Sequence, residues 1–97
     1  MSGFRLTARA KTDLRHISRY TEIQWGKSQR NIYLAALDTR FRWLAENPDH
    51  GRPREDIASG YRSFRHQNHI IFYMVQEDLI TIIGIPHARM DAAEYFS

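Results

Sequence analysis

The sequence contains no cysteine. A disulfide framework, a thiolate metal site and a cysteine nucleophile are therefore excluded. Glycine and proline are sparse, at five and three residues, and the glycines are scattered. No Gly-rich phosphate-binding loop of the Gly-x-x-x-x-Gly-Lys type occurs. Ser59, Ser63 and Asp91 lack the context of a nucleophile elbow. No apolar run reaches the length of a membrane span, and the N-terminus is polar and basic with no apolar signal region. Repeats and low-complexity segments are missing too. These absences lead to an expectation of a cytoplasmic chain without membrane contact, without cofactor and without metal.

What is present is enough for one core. Residues 1–97 make a single domain by length. Apolar residues at 42% and aromatics at 12% suit a packed globule rather than a disordered segment. The net charge of +3 is unevenly spread. Residues 1–44 hold nine Lys/Arg against Asp13, Glu22 and Asp38, a balance of +6; residues 45–97 hold five Arg against eight acids, a balance of −3. A basic first half suits an acidic partner or a solvated surface.

The chain is organised around Gly60–Asp91. Three runs rich in β-branched and aromatic residues are separated by the polar dipeptides Gln67-Asn68 and Glu77-Asp78. This predicts a three-stranded antiparallel meander with short hairpin turns. In the first strand, Tyr61–His66, the side chains of Arg62, Phe64 and His66 share one face. In the second, His69–Gln76, Ile70, Phe72 and Met74 lie on one face and Ile71, Tyr73 and Val75 on the other. The third, Leu79–Pro86, is apolar on both sides as well. A strand apolar on both faces needs both covered, so the expectation is one face under the chain's own helices and the other left to a partner.

Upstream, Phe4-Arg5-Leu6-Thr7 alternates like a strand joining the sheet edge. A helix follows from Ala8 to Trp25, with Ala10, Leu14, Ile17 and Thr21 at helical spacing and Arg9, Lys11, Arg15 and Arg19 on the opposite face. Gly26 is its stop signal. A second helix runs from about Ser28 to Glu46 with the stripe Tyr33, Leu37, Phe41 and Leu44, and Asn47-Pro48 ends it. Residues 48–59 read as a polar connector. Asp91–Phe96 reads as one helical turn capped by Asp91, with Glu94 closing a capping box. The fold class is thus α+β in the order β-α-α-β-β-β, a helical hairpin on one face of a mainly antiparallel sheet, closed by a short C-terminal helical turn.

Few residues are arranged for chemistry. His66 and His69 flank a hairpin turn, but two imidazoles without a third ligand do not make a metal site. A basic strip remains: Arg62 and Arg65 on the first meander strand, His87 and Arg89 past the third. Such a strip binds phosphate or a target, or else pairs with Asp91, Glu94 and the connector acids. Residue pattern alone leaves both open.

The ordered words of the chain resemble the ParE toxins of the RelE/ParE superfamily. They are Ala10, Asp13, Leu14 and Ile17; Tyr20-Thr21 with Trp25-Gly26; Leu44-Ala45 with Pro48 and Gly51; Gly60-Tyr61-Arg62; His69 to Tyr73; and Ile85-Pro86-His87-Ala88-Arg89-Met90-Asp91. The resemblance spans essentially the whole chain. It implies a type II toxin that poisons DNA gyrase in plasmid or chromosome maintenance. It also implies a ParD-like ribbon-helix-helix antitoxin that wraps the toxin in a heterotetramer or larger assembly and alone contacts operator DNA.

Superfamily cousins of the RelE type are ribosome-dependent mRNA endonucleases. Against their pattern, Arg62 and His87 match a strand arginine and a C-terminal acid, but Ala88 and Arg89 stand where a tyrosine is needed. The resemblance therefore favours a non-catalytic inhibitor. Arg62, Arg65, His87 and Arg89 are its target-binding candidates. Arg9, Arg15, Arg19, Ile71, Tyr73 and Val75 are the candidates for antitoxin contact, through charge steering and apolar anchoring respectively.

Overall fold

The structure is a computed structural model and describes residues 3–97. Strand β1 (Phe4–Leu6) leads into helix α1 (Ala8–Trp25), then helix α2 (Lys27–Glu46). A short 3-10 turn, Pro48–His50, precedes β2 (Arg52–Pro53). Strands β3 (Arg62–His66), β4 (His69–Gln76) and β5 (Leu79–Gly84) form the meander, and α3 (Ala92–Tyr95) closes the chain. The sheet order is β1-β5-β4-β3-β2. β1 runs parallel to β5, and the other pairings are antiparallel.

Local chemistry sets the boundaries. The Thr7 hydroxyl accepts from the Ala10 amide and caps α1. Gly26, at φ 92°, is the single residue between the two long helices, a backbone geometry that disfavours any side chain. Asn47 stops α2 ahead of Pro48, whose ring disfavours helical geometry in the residue before it. Asp91 caps α3 by accepting from the Ala93 amide. The two meander turns place Gln67 and Glu77 at φ 51° and 58°.

The core lies between the helical hairpin and one sheet face. Leu37, Leu44, Ile71, Tyr73 and Ile82 are fully buried there, with Ala10, Ile17, Phe41, Ile80 and Ile85 beside them. Each large aliphatic side chain so buried contributes about 1.5–3 kcal/mol. The face carrying Ile71 and Tyr73 is therefore the helix-covered one. Both were expected to meet a partner; instead they are interior, because the hairpin packs on their side of β4. Val75, at the turn end of the same face, is 46% exposed.

The other sheet face is not left open either. A register shift at Phe72/Tyr73 sets Phe72 opposite Gly84, so one extra β5 residue separates this pairing from that of Tyr73 with Ile82. Gly84 then offers a bare backbone on which Tyr95 rests. Phe96 meets the buried Phe72 ring edge-on at 5.0 Å, and the Arg54 guanidinium lies 5.3 Å from the same ring. The C-terminal turn and the connector thus shield this face over Phe72. The connector also donates β2, paired through Arg52 and Pro53 to β3, where sequence gave no strand signal.

Candidate functional site

With Phe72 shielded on the second sheet face, an open apolar surface remains along the helical hairpin. A groove of about 520 Å³ runs between α1, α2 and the edge strand β1. Phe4, Leu6, Leu14, Leu34, Leu37 and Phe41 line its floor; Arg15, Arg19, Glu22 and Asp38 stand around it. Its two acids are already neutralised. Glu22 pairs with Arg30 at 2.6 Å and Asp38 with Arg42 at 2.8 Å. Arg15 and Arg19 have no ion-pair partner among the described residues, so the rim presents net positive charge. β1 is the outermost strand, and its outer backbone edge faces the same side without a ladder partner among the described residues.

A second cleft, of about 540 Å³, opens beside the end of α1 and the β3–β4 turn. Tyr20, Trp25 and Tyr33 supply its rings; Gln29, Gln67 and Asn68 supply amides; His69 and His87 form one wall. His69 and His87 face each other across an isolated antiparallel bridge, ring centroids 5.4 Å apart. The Tyr33 hydroxyl lies 2.7 Å from His69 Nδ1. Burial, then the neighbouring His87 and His66 rings, push His69 down to about 4, so it is neutral at pH 7. Burial likewise lowers His66, with the Arg40 charge adding to it.

A family model described as the ParE toxin of type II toxin-antitoxin system, parDE, matches residues 4–92. The chain belongs to the ParE toxin family. Toxin ParE1 of Caulobacter vibrioides is 37% identical over 92 residues, covering 95% of each chain. Toxin ParE of Escherichia coli is 32% identical, with 94% of this chain and 89% of that one covered. Toxin ParE1 of Mycobacterium tuberculosis is 34% identical over 91 residues, with 93% of each covered. Among solved structures, the chromosomal ParDE TA system from P. aeruginosa matches with a TM-score of 0.76 at 18% identity, over 90% of this chain and 96% of that one. That likeness establishes the shared α+β fold.

Within this ParE fold the basic strip is not one site. Arg62 points to the helix side, opposite Tyr73, and its guanidinium donates to the Gly51 carbonyl at 2.6 Å. It braces the connector, the structural role open to this candidate, while its side chain stays half-buried. His87 sits on the far side of β4 from β3, opposite His69, four residues before Tyr73, so it is offset from Arg62 by about 13 Å along the strand direction. Arg65 is exposed on the other face of β3 and turns its Nε onto the Gln67 carbonyl. Arg89 is exposed beside His87.

The helix arginines also divide. Arg15 and Arg19 flank the hairpin groove. Arg9 instead holds the C-terminal turn, donating to the Tyr95 carbonyl and stacking 4.0 Å from the Tyr95 ring. Sequence reading did not single out Phe4, Leu6 and Leu34 as groove residues. Their only signal was apolar character on an edge strand and beside a core stripe. Asp13 and Tyr95 were likewise unassigned, and they meet in the structure across 82 residues of sequence.

Proposed function

We propose that this ParE toxin inhibits DNA gyrase without covalent chemistry of its own. A ParD-like antitoxin neutralises it by laying an acidic, amphipathic segment in the groove between α1, α2 and β1. The observation that carries the antitoxin half is that groove: an apolar floor whose acids are internally paired and whose rim keeps Arg15 and Arg19. Apolar side chains of the segment would anchor on Leu14, Leu34 and Phe41, and its carboxylates would be steered by the arginines. Family membership supports the gyrase half. The non-catalytic reading is supported by the separation of Arg62 from His87 and by the commitment of Arg62 to the Gly51 carbonyl. Arg65, His87 and Arg89 remain exposed for target contact.

The test is a supercoiling assay with purified gyrase. The toxin should block supercoiling and accumulate cleaved DNA, and the antitoxin encoded beside it should relieve both effects. Normal supercoiling at a large molar excess of folded toxin overturns the gyrase reading. Codon-level mRNA cuts in a translation extract, lost on His87→Ala, would replace it with ribosome-dependent cleavage.

A further inference from the structure

We propose that the cleft between the end of α1 and the β3–β4 turn binds an unpaired base of a single-stranded nucleic acid. This goes beyond the gyrase and antitoxin reading: it uses a different flank of α1 from the antitoxin groove and shares His87 and Arg89 with the target-contact residues, so Tyr20 and Trp25, which that reading does not use, are the positions that test it separately.

Two aromatic rings stand exposed at the cleft. Tyr20 and Trp25 are 63% and 70% exposed on successive turns of α1, and both line the cleft. Rings left in water beside a concave surface are a stacking platform, and every base has a face to stack on it. The rest of the lining is polar. Gln29, Gln67 and Asn68 bring amides, each with donors and an acceptor, and no lining residue carries a carboxylate, an ammonium or a guanidinium. An uncharged wall of amides and imidazoles matches the hydrogen-bonding edge of a base. A purely apolar protein side chain would leave those amides unpaired. A duplex would keep its base faces stacked and out of reach.

Of the charges within two residues of a lining position on this side, Glu22 and Arg30 pair with each other, Arg19 stands on the rim of the hairpin groove, and Lys27 and Arg89 have no ion-pair partner among the described residues; Asp13 is the acid that acts on His69. Lys27 and Arg89 thus supply cations beside a cleft whose own lining is uncharged, the arrangement that places phosphates outside and a base within. The volume, about 540 Å³, falls in the range of small-ligand sites.

The experiment is fluorescence anisotropy of the full chain with fluorescein-labelled oligothymidylate and oligouridylate of about ten nucleotides, beside a duplex of the same length. Single strands should bind at least about ten-fold more tightly than duplex. Trp25→Ala and Tyr20→Ala should each weaken them by roughly 5- to 100-fold. Arg89→Ala should weaken binding less and reduce the salt slope by about one. In a Trp43→Phe background, where Trp25 is the remaining indole, the oligonucleotide should quench its emission, which reads the site without altering it. The two arms decide between a DNA and an RNA strand.

Three outcomes overturn the proposal. They are no anisotropy change with the parent chain, duplex binding as tight as single-strand binding, and full affinity in both ring variants. Loss of gyrase inhibition in Trp25→Ala without oligonucleotide binding by the parent would assign the rings to a protein contact and likewise overturn it.

Discussion

The carboxylate of Asp13, on the second turn of α1, accepts the hydroxyl hydrogen of Tyr95 from the last turn of the chain. The same Asp13 oxygen accepts the Ile85 backbone N–H at 2.8 Å. One side chain thus ties together the helical hairpin, the end of the meander and the C-terminus. Burial, then the bond to Asp13, hold the Tyr95 phenol well above its usual pKa, so it donates throughout the physiological range.

Asp13→Ala leaves the Ile85 N–H, in a residue only 2% exposed, without a partner. The expected loss is about 2–3 kcal/mol. Tyr95→Phe removes one donor and should cost about 1 kcal/mol. Urea denaturation measures both. Because the two groups act on each other, the double variant should fall short of the summed losses.

Two glycines are predicted to fail differently on substitution by alanine. At Gly51 a Cβ would lie 2.6 Å from ring carbons of Tyr73, whose side chain is fully buried. The Tyr73 hydroxyl donates to the Pro48 carbonyl and accepts the Gly51 amide, so that ring cannot withdraw. Gly51→Ala should cost about 1–3 kcal/mol in a single global transition. At Gly84 the Cβ would lie 2.9 and 3.0 Å from Tyr95 ring carbons, but Tyr95 sits on a terminal single turn that can swing away. Gly84→Ala should therefore raise amide exchange in residues 92–96 while leaving core protection nearly intact.

The same contrast shows what sequence carries. Helical spacing located Ala10, Ile17, Leu37, Phe41 and Leu44, all buried as the stripes required, and Gly26 and Asn47-Pro48 closed the helices where turn chemistry places them. The order of elements and the α+β class were readable for that reason. The faces of β4 were not. Ile70, Phe72 and Met74 are as apolar as Ile71, Tyr73 and Val75, so periodicity separates the two sets without saying which one meets the helices. The hairpin groove was hidden for a related cause: it forms where β1, α1 and α2 converge, and spacing within one element does not report a crevice between three. Arg62 was assigned to the correct strand, yet its commitment to the Gly51 carbonyl depends on the connector folding back over β3.

His69 makes stability dependent on pH. In the folded chain its pKa is about 4, below the ordinary histidine value near 6.5. Above pH 6.5 the ring is neutral in both states and nothing is lost. As pH falls from there toward 4, the unfolded chain takes up a proton that the folded chain refuses, so stability drops. The loss is on the order of 1–2 kcal/mol once the ring's remaining contact with water is counted. His66, also lowered, acts in the same direction. Urea midpoints should fall between pH 7.5 and pH 5, and His69→Gln should flatten that slope. An unchanged slope in His69→Gln would place the titrating group elsewhere.

The hairpin groove gives the prediction that separates anchoring from steering. Leu34→Asp sets a carboxylate against the apolar floor, beside Leu37 and Phe41, and should weaken antitoxin capture by about 2–4 kcal/mol, chiefly by faster dissociation. Leu34 is partly buried at the edge of the core, so a thermal melt must accompany the measurement. Arg15→Glu and Arg19→Glu reverse the rim charge at exposed positions and leave the floor intact. Their effect should appear in the association rate, roughly ten-fold slower for the pair at low salt and fading as ionic strength rises. Arg9→Glu, whose parent side chain is turned onto Tyr95 away from the groove, should leave that rate little changed and loosen the C-terminal turn instead. Surface plasmon resonance at two salt concentrations distinguishes the three. If Arg9→Glu slows association as much as the rim pair, the antitoxin approaches over the C-terminal turn and the groove assignment fails.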